Sequence, residues 1–438
     1  MPMPITLDTT KKDFCSQFSR FINAQREVVE DVDKIVSKIL FDVAERGDSA
    51  LLHYTKKFDR LELNASGMRF TEAEIIDARG QCSKSAISAL FVAAERIREF
   101  HLRQIPKGYQ FKDSVGVELG MRWTPISAAG IYVPGGTAAY PSSVLMNGIP
   151  AKVAGVERIA MIVPTPDGEI NPLVLAAADI AGISEIYRVG GAQGVGALAY
   201  GTETIDPVDK ITGPGNAFVA SAKRQVFGRV GIDMIAGPSE ILIVADSDND
   251  PDWIAADLLS QAEHDENAQS VLITNSSDTA QAVMKSIDNQ LAFLDREDIA
   301  RKSWNENGVI IIAKTWDEVP ELVDRIAPEH LELAVKKPEL LAEKIRHAGA
   351  IFLGRHTPEA IGDYVAGPNH VLPTARSARF SSGLGAIDFM KRTTLVRCDP
   401  KSIQEIGPAA CTLAEAEGLD AHARSVSLRL RSEGKARA

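Results

Sequence analysis

Short, almost unbroken apolar runs recur after Ala128, each separated from the next by a helix-length amphipathic stretch, and this rhythm restricts the fold more than any other feature. Strands covered on both faces read as continuous apolar runs, and parallel neighbours need a crossover, usually a helix. Ile131-Tyr132-Val133, Ile159 to Val163 and Ile186 to Val189 form one series, with helices expected at about Ser142–Gly155 and Pro172–Gly182. Ile241 to Val244, Ser270 to Ile273, Val309 to Ile312, Leu331 to Val335 and Ala350 to Leu353 form a second. The pattern predicts an α/β protein with two Rossmann-like, incomplete βαβ layers and right-handed crossovers, divided near Gly237-Pro238.

Upstream the periodicity is helical, over about Lys11–Ala24, Val28–Arg46, Ser49–Phe58 and a long span from Thr71 to His101, punctuated by Gly47 and Gly80. From Tyr109 to Pro125 an alternating pattern, Val115, Val117, Leu119, Met121 and Trp123, predicts a short β-ribbon bridging two domains. Beyond Ser381 come Arg392 to Val396 and a helical run ending near Leu430, too short for a domain of its own.

A chain of 438 residues exceeds what one hydrophobic core serves, so two domains are expected. A net charge of −11 with no basic block argues against nucleic acid or an anionic membrane surface as partner, and for a small molecule. Cys15, Cys82, Cys398 and Cys411 show no paired spacing, as expected of reduced thiols in the cytoplasm. Charges at Asp8, Lys11, Lys12 and Asp13 interrupt any leader-like apolar run, and no segment reaches the roughly 18 apolar residues of a membrane span. The expectation is a soluble protein that is not exported.

Glycine-rich turns follow strands of the first series: Pro134-Gly135-Gly136-Thr137, Gly190-Gly191-Ala192-Gln193-Gly194-Val195-Gly196 and Gly213-Pro214-Gly215-Asn216. Such turns let backbone approach phosphate or ribose, yet they also serve as ordinary tight connections. Gly194 to Ala199 satisfies the permissive dinucleotide pattern, but Glu203, Asp206 and Asp209 come too early for a ribose-binding acid.

Four polar segments carry the candidate chemistry: Ser260 to His264, Pro328 to Glu332, Gly362 to Tyr364 and Glu417 to His422. They offer an amide oxygen, a carboxylate and two imidazoles as candidate Zn²⁺ ligands, with an adjacent acid and imidazole to handle protons. Gln261 and His264, three apart, share a helix face, but with Asp257 they also read as a solvated polar stripe. Glu329 and His330 stand where a helix gives way to a strand, Asp363 is equally suited to capping a turn, and His422 to a surface position. His53, His101, His347 and His356 are assigned to structure or surface, and His370 is left open.

Taken in order, the stretches Tyr132 to Gly136, Tyr140 to Asn147, Gly213 to Asn216, Ala236 to Glu240, Gln261 to His264, Glu329 to Leu331 and Gly362 to Tyr364 resemble the histidinol dehydrogenase family over nearly the whole chain. The resemblance implies one Zn²⁺ per subunit held by Gln261, His264, Asp363 and His422, with His422 reaching in from the second subunit of a homodimer with shared active sites. It implies substrate contacts at Ser239, Gln261, His264, His330, Asp363, Glu417 and His422, catalysis by Glu329 and His330, and NAD⁺ contacts at Tyr132, Gln193 and Asn216. No motif position departs from the family pattern.

The activity so implied is oxidation of L-histidinol to L-histidinaldehyde and then, with water, to L-histidine, using two NAD⁺. His330 would be the base of the first step, and Glu329 would activate water in the second. The alternative is a zinc and NAD dehydrogenase of the same fold acting on another small amino- or sulfo-alcohol. The expected division is an N-terminal helical arm at 1–25, a first Rossmann-like domain on the NAD side at 26–110 with 128–237, and a second on the metal side at 111–127 with 238–380. The tail, 381–438, is expected to pack on the partner subunit.

Overall fold

The computed structural model describes residues 4–24, 30–135, 140–235 and 237–431. Gly136 and Thr137 of the first glycine turn, Ala236, and the expected helix start at Val28 lie outside the described residues. The strands are, in chain order, β1 (Ile5–Asp8), β2 (Tyr109–Lys112), β3 (Glu118–Pro125), β4 (Ala128–Tyr132), β5 (Arg158–Ile162), β6 (Glu185–Tyr187) and β7 (Lys210–Thr212). There follow β8 (Gly231–Ile232), β9 (Glu240–Ala245), β10 (Gln269–Thr274), β11 (Val309–Ile312), β12 (His330–Ala334), β13 (Ala350–Leu353) and β14 (Met390–Arg397).

Both expected layers are present, and both are wholly parallel. The first runs β6-β5-β4-β7-β8 and the second β1-β11-β10-β9-β12-β13. In each the chain builds outward from a central strand, then returns to that strand's other side, so the strand order reverses between β4 and β7 and again between β9 and β12. Helices Glu30–Arg46 and Asp48–Asp59 cover one face of the first sheet, where Val36, Leu40, Val43, Leu51 and Tyr54 join Tyr132 and Ile162 in one core. Those apolar residues follow the helical period, which is why the helices pack there. The second sheet is covered on both faces, Leu242, Val271 and Ile311 facing one core and Ile241, Leu272 and Ile310 the other.

Several elements differ from expectation. The N-terminal arm begins with a strand: β1 pairs in parallel with β11, Ile5 opposite Val309. Only Leu7 of its four residues is buried, too little for an alternation to show. The long helix predicted from Thr71 is two, Glu72–Gln81 and Lys84–Leu102, because Ser83 leaves the helix and caps the second by accepting from Ala86 N–H. β7 and β8 were not expected at all; they are three and two residues long.

The ribbon also finds a different partner. β3 pairs antiparallel with β2 and, over its full length, with β14, from Met390 opposite Pro125 to Arg397 opposite Glu118. Residues 105–126 therefore fall with 390–438 in one compact unit, and not with 238–380, while residues 1–104 and 127–389 form the other. The tail gains a three-stranded antiparallel sheet by recruiting the ribbon. Its helices Pro400–Ala416 and Asp420–Leu430 pack on each other, Gly407 meeting Val426 and Leu430.

Candidate active site

In the larger unit a cavity of about 590 Å³ is lined by the turns after β4 and β7 (Gly135; Pro214, Gly215, Asn216) and by Ser239, Gln261, His264, Glu329, His330 and Asp363. The first sheet contributes its carboxyl edge at the point of strand reversal, where α/β sheets ordinarily bind ligands. The second contributes the opposite edge. Glu329 and His330 stand at the amino end of β12 and Ser239 precedes β9, while Gln261 and His264 arrive at the end of helix Pro251–Ala262 on its return toward β10.

His330 is 4% exposed. Its Nδ1 lies 3.0 Å from the Glu240 carbonyl, which can only accept, so Nδ1 carries the proton and Nε2 the lone pair. Nε2 is buried without a hydrogen-bond partner, 3.5 Å from Glu359 and 3.9 Å from Asp363. Burial holds the imidazole below its usual pKa, against the raising pull of Asp363, so the ring is neutral at pH 7. Glu329 is fixed by the same residue: its Oε2 accepts from Glu240 N–H at 2.8 Å, 3.7 Å from His330 Nδ1. The turn that delivers the pair contains Ala327 at φ +50, a left-handed conformation that ends helix Val319–Ile326.

Gln261 is 1% exposed and its Oε1 is buried with no hydrogen-bond donor. A buried amide oxygen left in this state costs roughly 1–3 kcal/mol, and a cation in the cavity would remove that cost. The solvated-stripe reading of Gln261 therefore fails, since the stripe faces the second sheet and the cavity. His264 lies two residues past the helix end, its carbonyl accepting from Arg296 at 3.2 Å. Asp363 sits inside helix Glu359–Tyr364, not at a turn cap.

The match to known proteins is extensive. The family model described as histidinol dehydrogenase matches residues 22–430. The chain is similar to the histidinol dehydrogenase of Rhodopseudomonas palustris, 63% identical over 98% of this chain and 99% of that protein. It is 61% identical to that of Rhodospirillum rubrum, again over 98% and 99%. The crystal structure of histidinol dehydrogenase from Elizabethkingia anophelis superimposes with a TM-score of 0.94 at 39% identity, covering 99% of this chain and all of that one.

The chain belongs to the histidinol dehydrogenase family. It is accordingly an NAD-dependent oxidoreductase.

Not every residue singled out from the sequence reaches the cavity. Tyr132 and Gln193 do not line it: Tyr132 is buried, its hydroxyl accepting from Gly191 N–H at 3.2 Å, and burial pushes that hydroxyl's pKa up to about 12. Gln193 is 1% exposed beneath the same turn, its Oε1 unpartnered. Asn216 does line it, but its side chain caps helix Ala217–Val226 through Phe218 and Val219 N–H. Glu417 and His422 are exposed in the smaller unit and are not among the lining residues.

Two further residues belong to the site. His370, unassigned from the sequence, lines the cavity with Nδ1 3.0 Å from the Asp363 carbonyl and Nε2 3.2 Å from Ser143 Oγ; burial lowers its pKa too. Glu359, which the sequence did not single out, is 2% exposed, and burial, reinforced by Asp363, pushes its carboxyl up to about 10, so it is protonated at pH 7. His330, Glu359 and Asp363 bring their ligating atoms within 4.8 Å of one another. Following Pro358, Glu359 reads as an ordinary acidic helix start; its one signal was standing a helical turn before Asp363.

Proposed function

We propose that the cavity binds L-histidinol and NAD⁺ and oxidises the amino alcohol twice, through L-histidinaldehyde to L-histidine, the last step of histidine biosynthesis. The observation that carries this reading is the unpartnered Nε2 of neutral His330 beside the unpartnered oxygen of Gln261, on two residues that line the same cavity. One is a base without a proton, the other a donor atom suited to a cation.

The donor set suits Zn²⁺. Gln261, His264 and Asp363 would come from this chain and His422 from a second copy, as the family resemblance implies; His422 is exposed and so free to be offered to a partner. One carboxylate and three neutral donors leave a site near +1, which suits a neutral amine and imidazole as further ligands over a protonated amine. Bound there, Zn²⁺ supplies a fixed attachment point and polarisation for the substrate. The gathering of Glu359 and Asp363 around His330 is better read as proton management than as a second ion site, because Glu359 is protonated at pH 7.

In the first oxidation His330 Nε2 takes the alcohol proton while hydride passes to NAD⁺, giving aldehyde, NADH and H⁺. Its Nδ1–H on the Glu240 carbonyl supports the imidazolium that forms. In the second, Glu329 takes a proton from water as its oxygen adds to the aldehyde carbon; the hydrate then gives hydride to a second NAD⁺ and ends as carboxylate. Glu240 N–H anchors the Glu329 carboxylate to the backbone at the cavity wall, which fixes where that base stands. Asn216 and the Gly135 and Gly215 turns are the nearest walls for the nicotinamide half, with Gln193 and Tyr132 supporting the Gly190-Gly191 turn from beneath. Ser239 and, from the partner, Glu417 complete the substrate's surroundings in a homodimer that works in the cytoplasm; no described helix is long and apolar enough to cross a membrane. The test is stoichiometry: two NADH per histidinol consumed, abolished by a chelator and restored by Zn²⁺. One NADH per histidinol, or turnover of other amino- or sulfo-alcohols in preference, overturns it.

A further inference from the structure

Behind the cavity, three acidic side chains from three elements meet with no basic residue among them. Glu332 lies two residues after His330 on β12 and is 3% exposed. One of its oxygens, Oε1, accepts from the backbone N–H of Glu359, the first residue of helix Glu359–Tyr364. Its carboxyl is also hydrogen-bonded to the carboxyl of Asp257, on helix Pro251–Ala262. Ser260, on that same helix, bonds the Asp257 carbonyl at 2.8 Å and approaches Glu359 Oε2 at 3.4 Å. Asp257 stands one turn before Gln261, and Glu359 one turn before Asp363.

Glu332 is buried and Asp257 half-buried, and two carboxyl groups in such contact hold together with a proton between them, for two carboxylates would repel. The environment favours that proton: burial first, then the Asp257 charge, raises Glu332 well above its usual range, while burial lifts Asp257 only to about 6. At pH 7 Glu332 is thus the donor and Asp257 the acceptor.

We propose that Asp257 and Glu332 are positioning residues which, by sharing one proton, bolt the helix bearing Gln261 to the strand bearing His330 and to the helix bearing Asp363. The other described side-chain contacts among these elements are looser: Ser260 reaches Glu359 at 3.4 Å and joins only the two helices, and His330 Nε2 stands 3.5 Å from Glu359 without a hydrogen bond. The pair touches neither substrate nor cation. It sets the spacing of the groups that do, as outer partners of metal ligands commonly do. The inference rests on the zinc reading above.

Glu332→Gln separates the shared-proton bond from ionisation, because the amide donates to Asp257 and accepts from Glu359 N–H as the protonated acid does. Zinc dissociation constants are to be measured on the full-length protein by competition with a chromogenic chelator, and hydrogen exchange at the Glu359 amide followed in the zinc-free protein. Glu332→Met and Asp257→Ala are expected to weaken zinc about 10–100-fold, with Glu332→Gln within threefold of the parent. Exchange at Glu359 should accelerate at least tenfold in Glu332→Met and stay slow in Glu332→Gln. Zinc affinity unchanged in both Glu332→Met and Asp257→Ala overturns the proposal, as does Glu332→Gln behaving like Glu332→Met. Where the Met and Ala variants do not fold, Glu332→Gln decides alone: parent-like zinc affinity supports the pair, and a tenfold loss overturns it. A parent that binds no zinc defeats the functional reading instead, and Glu359 exchange in the variants still judges the pair.

Discussion

Lys223 and Asp233 form an ion pair with side chains 3% and 1% exposed, and both close on a single residue. Lys223 Nζ donates to the Gly213 carbonyl at 2.9 Å, and Asp233 accepts from Gly213 N–H at 2.8 Å. Gly213 has φ +114, and a Cβ there would sit 2.1 Å from the Tyr132 carbonyl oxygen, so only glycine fits between the clamp and β4. The cavity wall formed by Pro214, Gly215 and Asn216 starts from this fixed point.

Removing one member of that pair leaves the other charged and buried. Lys223→Met should destabilise the fold by about 3–5 kcal/mol, whereas Lys223→Met with Asp233→Leu should cost far less than the two single changes summed. Urea unfolding of the three variants checks it. Additive losses would mean the two side chains act independently.

Within the adjacent pair at the start of β12, His330→Asn should suppress both half-reactions, while Glu329→Gln should spare the alcohol step and strike aldehyde oxidation. Loss of a general base typically costs 10²–10⁴-fold, about 3–5 kcal/mol of barrier, so single-turnover NADH formation from histidinol and from histidinaldehyde resolves the contrast. Equal damage to both steps by Glu329→Gln refutes the division.

Gln261 yields a prediction with opposite signs in two states. In zinc-free protein Gln261→Leu removes a buried oxygen that has no donor, so stability should hold or rise by about 0–2 kcal/mol. With zinc supplied, the variant should lose most of its metal content and the stabilisation that binding confers on the parent. Melting curves with and without zinc, alongside metal analysis, settle it; a zinc-free variant much less stable than parent would give the amide a structural role instead.

The extent to which all this was legible follows from the strength of each signal. The long strands carried it, because Ile241–Val244 and Val309–Ile312 are largely buried on both faces and admit little but apolar residues. β1 and β8 are too short or too exposed to leave a pattern, and the pairing of β3 with β14 joins residues some 270 positions apart, which no local period encodes. For the site, individual residues were ambiguous: the stripe of Asp257, Gln261 and His264 looks solvated until the sheet that covers it is known. The family pattern led to the cavity residues, yet it passed over Glu359 and His370, whose roles come from what surrounds them and not from what precedes them in the chain.

Asp59 gives a pH signature remote from the cavity. Its side chain ends helix Asp48–Asp59, is 7% exposed, has one oxygen without a partner, and is pushed up to about 6 by burial, with Arg60 opposing. Because the folded pKa is raised above the unfolded value of 3.8, the folded state keeps a proton that the unfolded chain has already released between about pH 4 and pH 6. Stability from this group is therefore full below pH 4, falls as pH rises through that window, and is constant above it. Asp59→Asn cannot ionise, so relative to the parent it should gain up to about 3 kcal/mol between pH 4 and pH 7.5, whatever its offset at pH 4. Urea unfolding of both proteins at the two pH values measures the difference directly, and a gap that does not change with pH would show that Asp59 is ionised in the fold.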